Sequence, residues 1–143
     1  MTIAVDKVLY TARATAHGGR DGKVATNDGK LDVVVVPPAE MGGTGNGTNP
    51  EQLFAAGYAA CFHSALKVVA RKTRQDVDGS TVTAEVGIGP INGGAGYGLE
   101  VVLEVSLPGL DRAVAEELVA KAHEVCPYSN ATRGNIKVDL KVA

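Results

Sequence analysis

The two cysteines, Cys61 and Cys126, carry the side chains of this 143-residue chain with the widest range of chemistry. A thiolate can attack an electrophile or bind a metal, and two thiols can close a disulfide. Each thiol could also be inert, Cys61 as a small apolar residue of a buried helix and Cys126 as the residue at a helix end. Together, however, two thiols in one chain can form one disulfide, which favours a redox role.

The start of the chain bears on this choice because it indicates the compartment. Residues 1–7 bring a charge before any apolar stretch develops, so they do not have the pattern of a signal peptide. No run approaches the roughly 18 consecutive apolar residues of a membrane-spanning helix. Cytoplasmic residence is therefore expected, and there two cysteines are more often catalytic or redox-active than structural.

Two histidines make a zinc site the first alternative. His63 lies two residues after Cys61, and His123 lies three residues before Cys126. Residues two apart on a helix point about 200° away from each other, so Cys61 and His63 cannot bind one ion. His123 and Cys126 would lie on one face and could bind an ion together, but the set of four is disfavoured, so we predict no metal site. His63 is expected to be a hydrogen-bonded core or interface histidine, and His123 a cation at a helix C-terminus.

Charge and glycine patterns argue against other ligands. The chain has 14 Lys+Arg against 16 Asp+Glu and no basic stripe, so neither nucleic acid nor an anionic membrane is an expected partner. The glycine-rich residues 42–47 precede a helix start, where an anion could bind. They lack the Gly-x4-Gly-Lys-Ser/Thr spacing of a phosphate-binding loop, so we expect no nucleotide there.

A long helix must position Cys61. The run Asn-Pro-Glu-Gln at 49–52 starts it, with Asn as the cap, Pro at the first helical position and an acid in the first turn. The apolar pattern predicts that this helix runs to about Lys72 and is buried. Its many small residues favour close approach by another element.

Alternating residues predict strands around this helix. We expect one long strand over residues 5–16, a short one before Gly29, and others at 31–36, 81–91, 99–107 and 136–142. Asp111 should cap a second helix, which runs to about Val125 and ends because Cys126 precedes a proline. The fold class is therefore α+β, with antiparallel sheets and a long buried central helix in a single domain, 1–143.

Three separated motifs resemble those of the organic hydroperoxide resistance family. They lie at residues 17–22, 47–62 and 126–135, and the likeness runs from end to end. The Asn-Pro-Glu-Gln run and the Tyr-Ser-Asn-Ala-Thr-Arg run at 128–133 favour this family over its sister branch, the osmotically inducible peroxidases. The resemblance implies an intertwined homodimer with two active sites at its interface, which reduces organic hydroperoxides.

The same resemblance implies a role for each site residue. Cys61 would be the peroxidatic cysteine, Cys126 the resolving one, and Arg20 and Glu51 their polar partners. No metal, haem or flavin would be bound, and dihydrolipoyl groups on lipoylated enzymes would reduce the Cys61–Cys126 disulfide. Arginine suits this role because a buried thiol otherwise stays protonated, and an acid such as Glu51 can pair with the arginine.

Two further expectations follow from the helix. Glu51 and Cys61 are ten residues apart, a rise of about 15 Å, so we expect Glu51, and with it Arg20, to come from a second subunit. An apolar pocket lined by Leu53, Phe54 and Phe62 would favour organic hydroperoxides over hydrogen peroxide. Two rivals remain open, a thiol–disulfide oxidoreductase without peroxidase activity and a non-catalytic dimer that binds a small ligand.

Overall fold

The structure, a computed structural model, describes residues 2–143. The chain divides into two compact units, one ending at Pro50 and the other covering Glu51–Ala143. Each unit has its own sheet, so each is described by itself. That residues 1–143 form a single domain stays a prediction.

The first unit contains a three-stranded antiparallel sheet in the order β1-β2-β3. Its strands are β1 (Ala14–His17), β2 (Gly22–Thr26) and β3 (Asp32–Val35). The β1–β2 turn requires glycine, because Gly18 and Gly19 have positive φ and a Cβ on Gly22 would lie 1.8 Å from the His17 carbonyl oxygen. A single 3₁₀ turn, Ala39–Met41, follows β3.

The long strand predicted over residues 5–16 is wrong for most of its length. Within the described chain only its end, from Ala14, is in a strand, and residues 5–13 are in none. Their alternation has no neighbouring strand to satisfy the backbone groups, and alternation alone does not make a strand. The large apolar side chains of this segment are exposed, among them Val8 at 67% and Leu9 at 90%.

The second unit combines a mixed three-stranded sheet with three helices. Its elements are α1 (Pro50–Lys72), β4 (Thr81–Ile91), β5 (Gly96–Ser106), α2 (Arg112–Val125), α3 (Pro127–Thr132) and β6 (Val138–Val142). β5 lies between β4 and β6. β4 and β5 are antiparallel, but β6 runs parallel to β5, which corrects the predicted antiparallel sheet. The connection through α2 and α3 brings the chain back to the end at which β5 starts, as a crossover does.

Helix α1 is continuous, as predicted, and one of its faces lies in the core. Tyr58, Phe62 and Leu66 are fully buried there, beside alternate residues of β5 such as Leu103 and a face of α2 that includes Leu118. By length and hydropathy alone α1 could cross a membrane, but core helices meet the same criterion. The buried face of α1 packs as the face of a core helix does.

Candidate active site

Cys61 and Cys126 lie together in the second unit. Cys126 donates a thiol hydrogen bond to Cys61 across 3.6 Å between the two Sγ atoms, and both are free thiols. Cys126 is fully buried, whereas Cys61 is half-buried. A disulfide has an S–S length of about 2.05 Å, so the sulfurs need to approach by roughly 1.5 Å to bond. The two thiols are therefore placed for disulfide formation.

Local backbone chemistry holds Cys126 at the junction of two helices. Its φ of −61° and ψ of 124° leave the helical region, as expected for a residue before proline. Its N–H still donates to the carbonyl oxygen of Ala122 at 2.9 Å, and its carbonyl accepts from the Asn130 N–H at 2.9 Å. Cys126 thus ends α2 and caps α3 at once, which fixes its Cα relative to both helices.

The electrostatics of the second unit favour the protonated thiol of Cys61. Burial raises the pKa of Cys61 above its ordinary value, and the backbone N–H of Tyr128 opposes this by donating to the sulfur. The neighbouring Cys126 adds to the increase in pKa. A cation near the sulfur would counter this shift and favour the thiolate.

A buried hydrogen-bond network joins α1, α2 and α3 near the two thiols, and the sequence analysis did not predict it. The Ser129 hydroxyl bonds the Tyr58 hydroxyl at 2.7 Å and His123 Nδ1 at 2.8 Å, and Tyr58 also bonds the Thr132 hydroxyl at 3.0 Å. Ser129, Tyr58 and Thr132 are buried. A serine in a Tyr-Ser-Asn-Ala-Thr run is typical of an exposed surface or of a helix end. No local signal in the sequence therefore marks Ser129 as part of a buried network.

The two histidines have different outcomes. His63 shares a hydrogen bond of 2.9 Å with the Ser80 hydroxyl, in agreement with the prediction of a hydrogen-bonded histidine. His123 was expected to be a cation, and this is wrong. Burial, together with the charge of Arg133, lowers the pKa of His123 below its ordinary value, which disfavours the cation.

An aromatic cluster covers α1 one turn before Cys61. Phe54, Tyr58 and Tyr128 have ring centroids 5.6 to 6.2 Å apart. Gly57 makes room for it, because a Cβ there would lie 2.6 Å from the Tyr128 hydroxyl. Phe54 and Tyr128 remain partly accessible, but Phe62 is fully buried in the core and so does not line an open pocket, contrary to expectation.

Arg20 and Glu51 lie in different units. Arg20 is half-buried in the β1–β2 turn of the first unit, and Glu51 is half-buried in the first turn of α1. Since α1 has no break, Glu51 and Cys61 are separated by about 15 Å along one helix axis. Among residues 2–143, no three His, Cys, Asp or Glu side chains form a group that could hold a metal ion.

Comparison with known proteins gives consistent matches. The family model described as OsmC-like protein matches residues 43–141. The organic hydroperoxide resistance protein of Xanthomonas axonopodis pv. citri (strain 306) is 54% identical, covering 96% of this chain and 97% of that protein. The OhrB protein of Bacillus subtilis (strain 168) is 48% identical, covering 94% and 98%. A crystal structure of an organic hydroperoxide resistance protein from Legionella pneumophila has a TM-score of 0.89 at 52% identity, covering 96% of this chain and 99% of that one.

Proposed function

Because the chain belongs to the OsmC-like family and, within it, to the organic hydroperoxide resistance proteins, we propose that it is a cysteine-based peroxidase that reduces organic hydroperoxides to alcohols. Membership itself implies peroxide detoxification. The observation that carries the thiol mechanism is the pair Cys61 and Cys126, whose sulfurs lie 3.6 Å apart although 65 positions separate them in the chain. Neither thiol belongs to a group of metal-binding side chains in the described chain.

The first step uses the more accessible thiol. The Cys61 thiolate attacks one peroxide oxygen of ROOH, the O–O bond breaks, and a proton converts the leaving alkoxide into ROH. The sulfur is oxidised by two electrons to a sulfenic acid, and the peroxide is reduced. Cys61 takes this role because Cys126 is fully buried and cannot meet a bulky substrate.

The second step uses the neighbouring thiol. The Cys126 sulfur attacks the Cys61 sulfenic acid, an S–S bond forms, and the sulfenic oxygen leaves as water. A dihydrolipoyl dithiol then reduces the disulfide by two exchanges, which restore both thiols and leave an oxidised lipoyl disulfide. Lipoylated proteins are the proposed reductants because the resemblance of the motifs implies them.

The proposed role of Arg20 is to offset the raised pKa of Cys61. Burial raises the pKa of Cys61, and a permanent positive charge beside the sulfur would favour the thiolate. A guanidinium can also donate to the peroxide oxygens as charge develops in the transition state. Glu51 would pair with Arg20 and orient its planar group.

The apolar surroundings support organic substrates over hydrogen peroxide. Phe54 and Tyr128 lie in the aromatic cluster next to the Cys61 turn, and both keep accessible surface. An alkyl or aryl group gains free energy by leaving water against such side chains, and hydrogen peroxide has no such group. Alkyl, aryl and fatty-acid hydroperoxides are therefore the proposed substrate class.

We further propose an intertwined cytoplasmic homodimer. The exposed apolar side chains of the N-terminal segment support it, since several large apolar side chains exposed in one segment are typical of an interaction surface. They are Ile3, Val5, Val8, Leu9 and Tyr10. A subunit-exchange experiment tests the contribution of the second chain. Mixing inactive Cys61→Ser with inactive Glu51→Ala should restore one working site per heterodimer, and no recovery after confirmed exchange would place each site within one chain.

A peroxide-consumption assay tests the activity itself. With dihydrolipoamide as reductant, cumene hydroperoxide should be consumed faster than hydrogen peroxide, and Cys61→Ser should consume neither. Mass spectrometry after one equivalent of cumene hydroperoxide should show the loss of two hydrogens per chain. An unchanged mass would indicate a binding protein, and consumption by Cys61→Ser would exclude the thiol mechanism.

A further inference from the structure

Ser129 joins the two helices that carry the thiols. It is fully buried in α3, and its hydroxyl bonds Tyr58 on α1 at 2.7 Å and His123 on α2 at 2.8 Å. Tyr58 lies three residues before Cys61, and His123 lies three residues before Cys126. Each partner of the serine is therefore about one helical turn from one of the two sulfurs.

We propose that Ser129 is a positioning residue for disulfide closure, which sets the Cys126 sulfur against the Cys61 sulfur through its bonds to Tyr58 and His123. The inference deepens the proposed function, on which it rests. The serine contacts neither sulfur in this role. It acts by fixing α3, the short helix that begins directly after Cys126.

The structure shows why α3 needs such an attachment. A helix of six residues has few internal hydrogen bonds and depends on its neighbours. Arg133 fastens it to α2, by donating to the His123 carbonyl oxygen at 2.8 Å and to the Asn130 side chain. The Tyr58 hydroxyl supplies the matching attachment on the α1 side, where it holds Ser129 and Thr132 together.

Disulfide closure is sensitive to this attachment because the two sulfurs must reach a short bond length. The sulfurs start 3.6 Å apart and must approach by roughly 1.5 Å to reach a disulfide bond length. A misplacement of about 1 Å in a reacting pair can cost on the order of 10²-fold in rate. Loosening α3 should therefore slow attack by Cys126, while Cys61, which lies on α1, still reacts with peroxide.

The test separates the two steps by rapid mixing with cumene hydroperoxide and quenching with an alkylating agent. In Ser129→Ala, disulfide closure should slow by about tenfold or more, while sulfenic-acid formation changes by less than about threefold. The longer-lived sulfenic acid should be trapped by dimedone in a larger fraction of chains. A loss of general stability would not produce this change in partitioning between the two steps.

Ser80→Ala is the matched control. It removes a serine–histidine hydrogen bond of nearly the same length, 2.9 Å to His63, two residues after Cys61. It leaves α3 untouched, so both rates should stay at the wild-type value. Tyr58→Phe is the second variant, for the case in which Ser129→Ala does not fold. It keeps the ring and removes only the hydroxyl, and it should slow closure in the same way.

The failures of the two proposals are distinguishable. If wild-type protein forms no sulfenic acid with cumene hydroperoxide, the peroxidase proposal fails. The role of Ser129 can still be measured with diamide, which takes two hydrogens from a thiol pair through an adduct on the first thiol. Closure at the wild-type rate in folded Ser129→Ala or Tyr58→Phe, with either oxidant, would overturn the positioning role. Equal slowing in Ser80→Ala would do the same.

Discussion

The two compact units of the chain differ in how their residues are held. In the first unit, Val35 and Asn49 are the buried residues of the described part, and glycine-rich turns connect three short strands. The second unit has a continuous apolar core formed by α1, β5 and α2. Packing therefore holds the second unit, whereas backbone turns and strand pairing hold the first.

This difference separates the two kinds of chemistry that the proposed mechanism needs. The thiols lie in the packed unit, where buried side chains fix their separation. The cation assigned to them, Arg20, lies in a glycine turn of the other unit. Packed elements suit a pair of sulfurs that must approach each other by roughly 1.5 Å to bond. A turn suits a charged side chain that acts on a substrate, because the substrate binds and dissociates in every cycle.

The largest effect on turnover should come from substitutions in the second unit, where the two thiols have unequal roles. Cys61→Ser should abolish turnover because no other thiol is accessible to peroxide. Cys126→Ser should react once and then stall at the sulfenic acid. Burst kinetics with cumene hydroperoxide and dihydrolipoamide measure both. Sustained turnover by Cys126→Ser would show that closure with Cys126 is not needed.

The next largest effect on the rate should come from a substitution in the first unit. Arg20→Ala should slow the first step by roughly 10²-fold or more, the scale of losing one oriented charged donor. Arg20→Lys should restore only part of the rate because an ammonium lacks the planar fork. Stopped-flow measurement of thiol oxidation decides this. A wild-type rate in Arg20→Ala would show that this arginine of the first unit takes no part in the reaction.

The pH dependence of Arg20→Ala sharpens the same test. Burial already raises the pKa of Cys61, and removing the cation proposed to act on this thiol would disfavour the thiolate further. The midpoint for alkylation of Cys61 by iodoacetamide should therefore move to higher pH in Arg20→Ala than in wild-type protein. A midpoint that moves to lower pH would contradict the assigned role.

A stability comparison tests the difference in packing directly. Leu66→Ala removes a fully buried side chain of α1 and should lower the free energy of unfolding by about 2–5 kcal/mol. Val34→Ala, at a β3 position that is 58% exposed, should change it by less than about 0.5 kcal/mol. Urea denaturation measures both. Equal losses would mean that the first unit has packing which this chain alone does not show.

The smallest effect is expected from Gly57→Ala. The added methyl group meets the Tyr128 hydroxyl, but alanine favours a helix over glycine by roughly 0.5–1 kcal/mol, so the net change in stability should be small. Displacing Tyr128 should slow disulfide closure a few-fold, by moving the segment that follows Cys126. Quench-flow alkylation measures closure, and an unchanged rate would show that the aromatic cluster and closure are independent.

Local patterns in the sequence determined the elements that carry the thiols. The start and end of α1, the end of α2 at Cys126 and the full length of β4 were all predicted from caps, proline and alternation. Each of these signals depends on residues a few positions apart, whose preferences act before any packing. The three motifs likewise identified the family, because they are contiguous runs of sequence.

Tertiary structure alone decided the contacts between distant residues. The separation of the two sulfurs, the parallel pairing of β6 and the burial of Ser129 depend on how helices and strands pack, which no local pattern encodes. The same holds for His123, whose lowered pKa follows from burial and the Arg133 charge, although its position near a helix end predicted a cation. Residues 5–13 alternate like a strand, but a strand needs a partner, and among residues 2–143 no strand pairs with them.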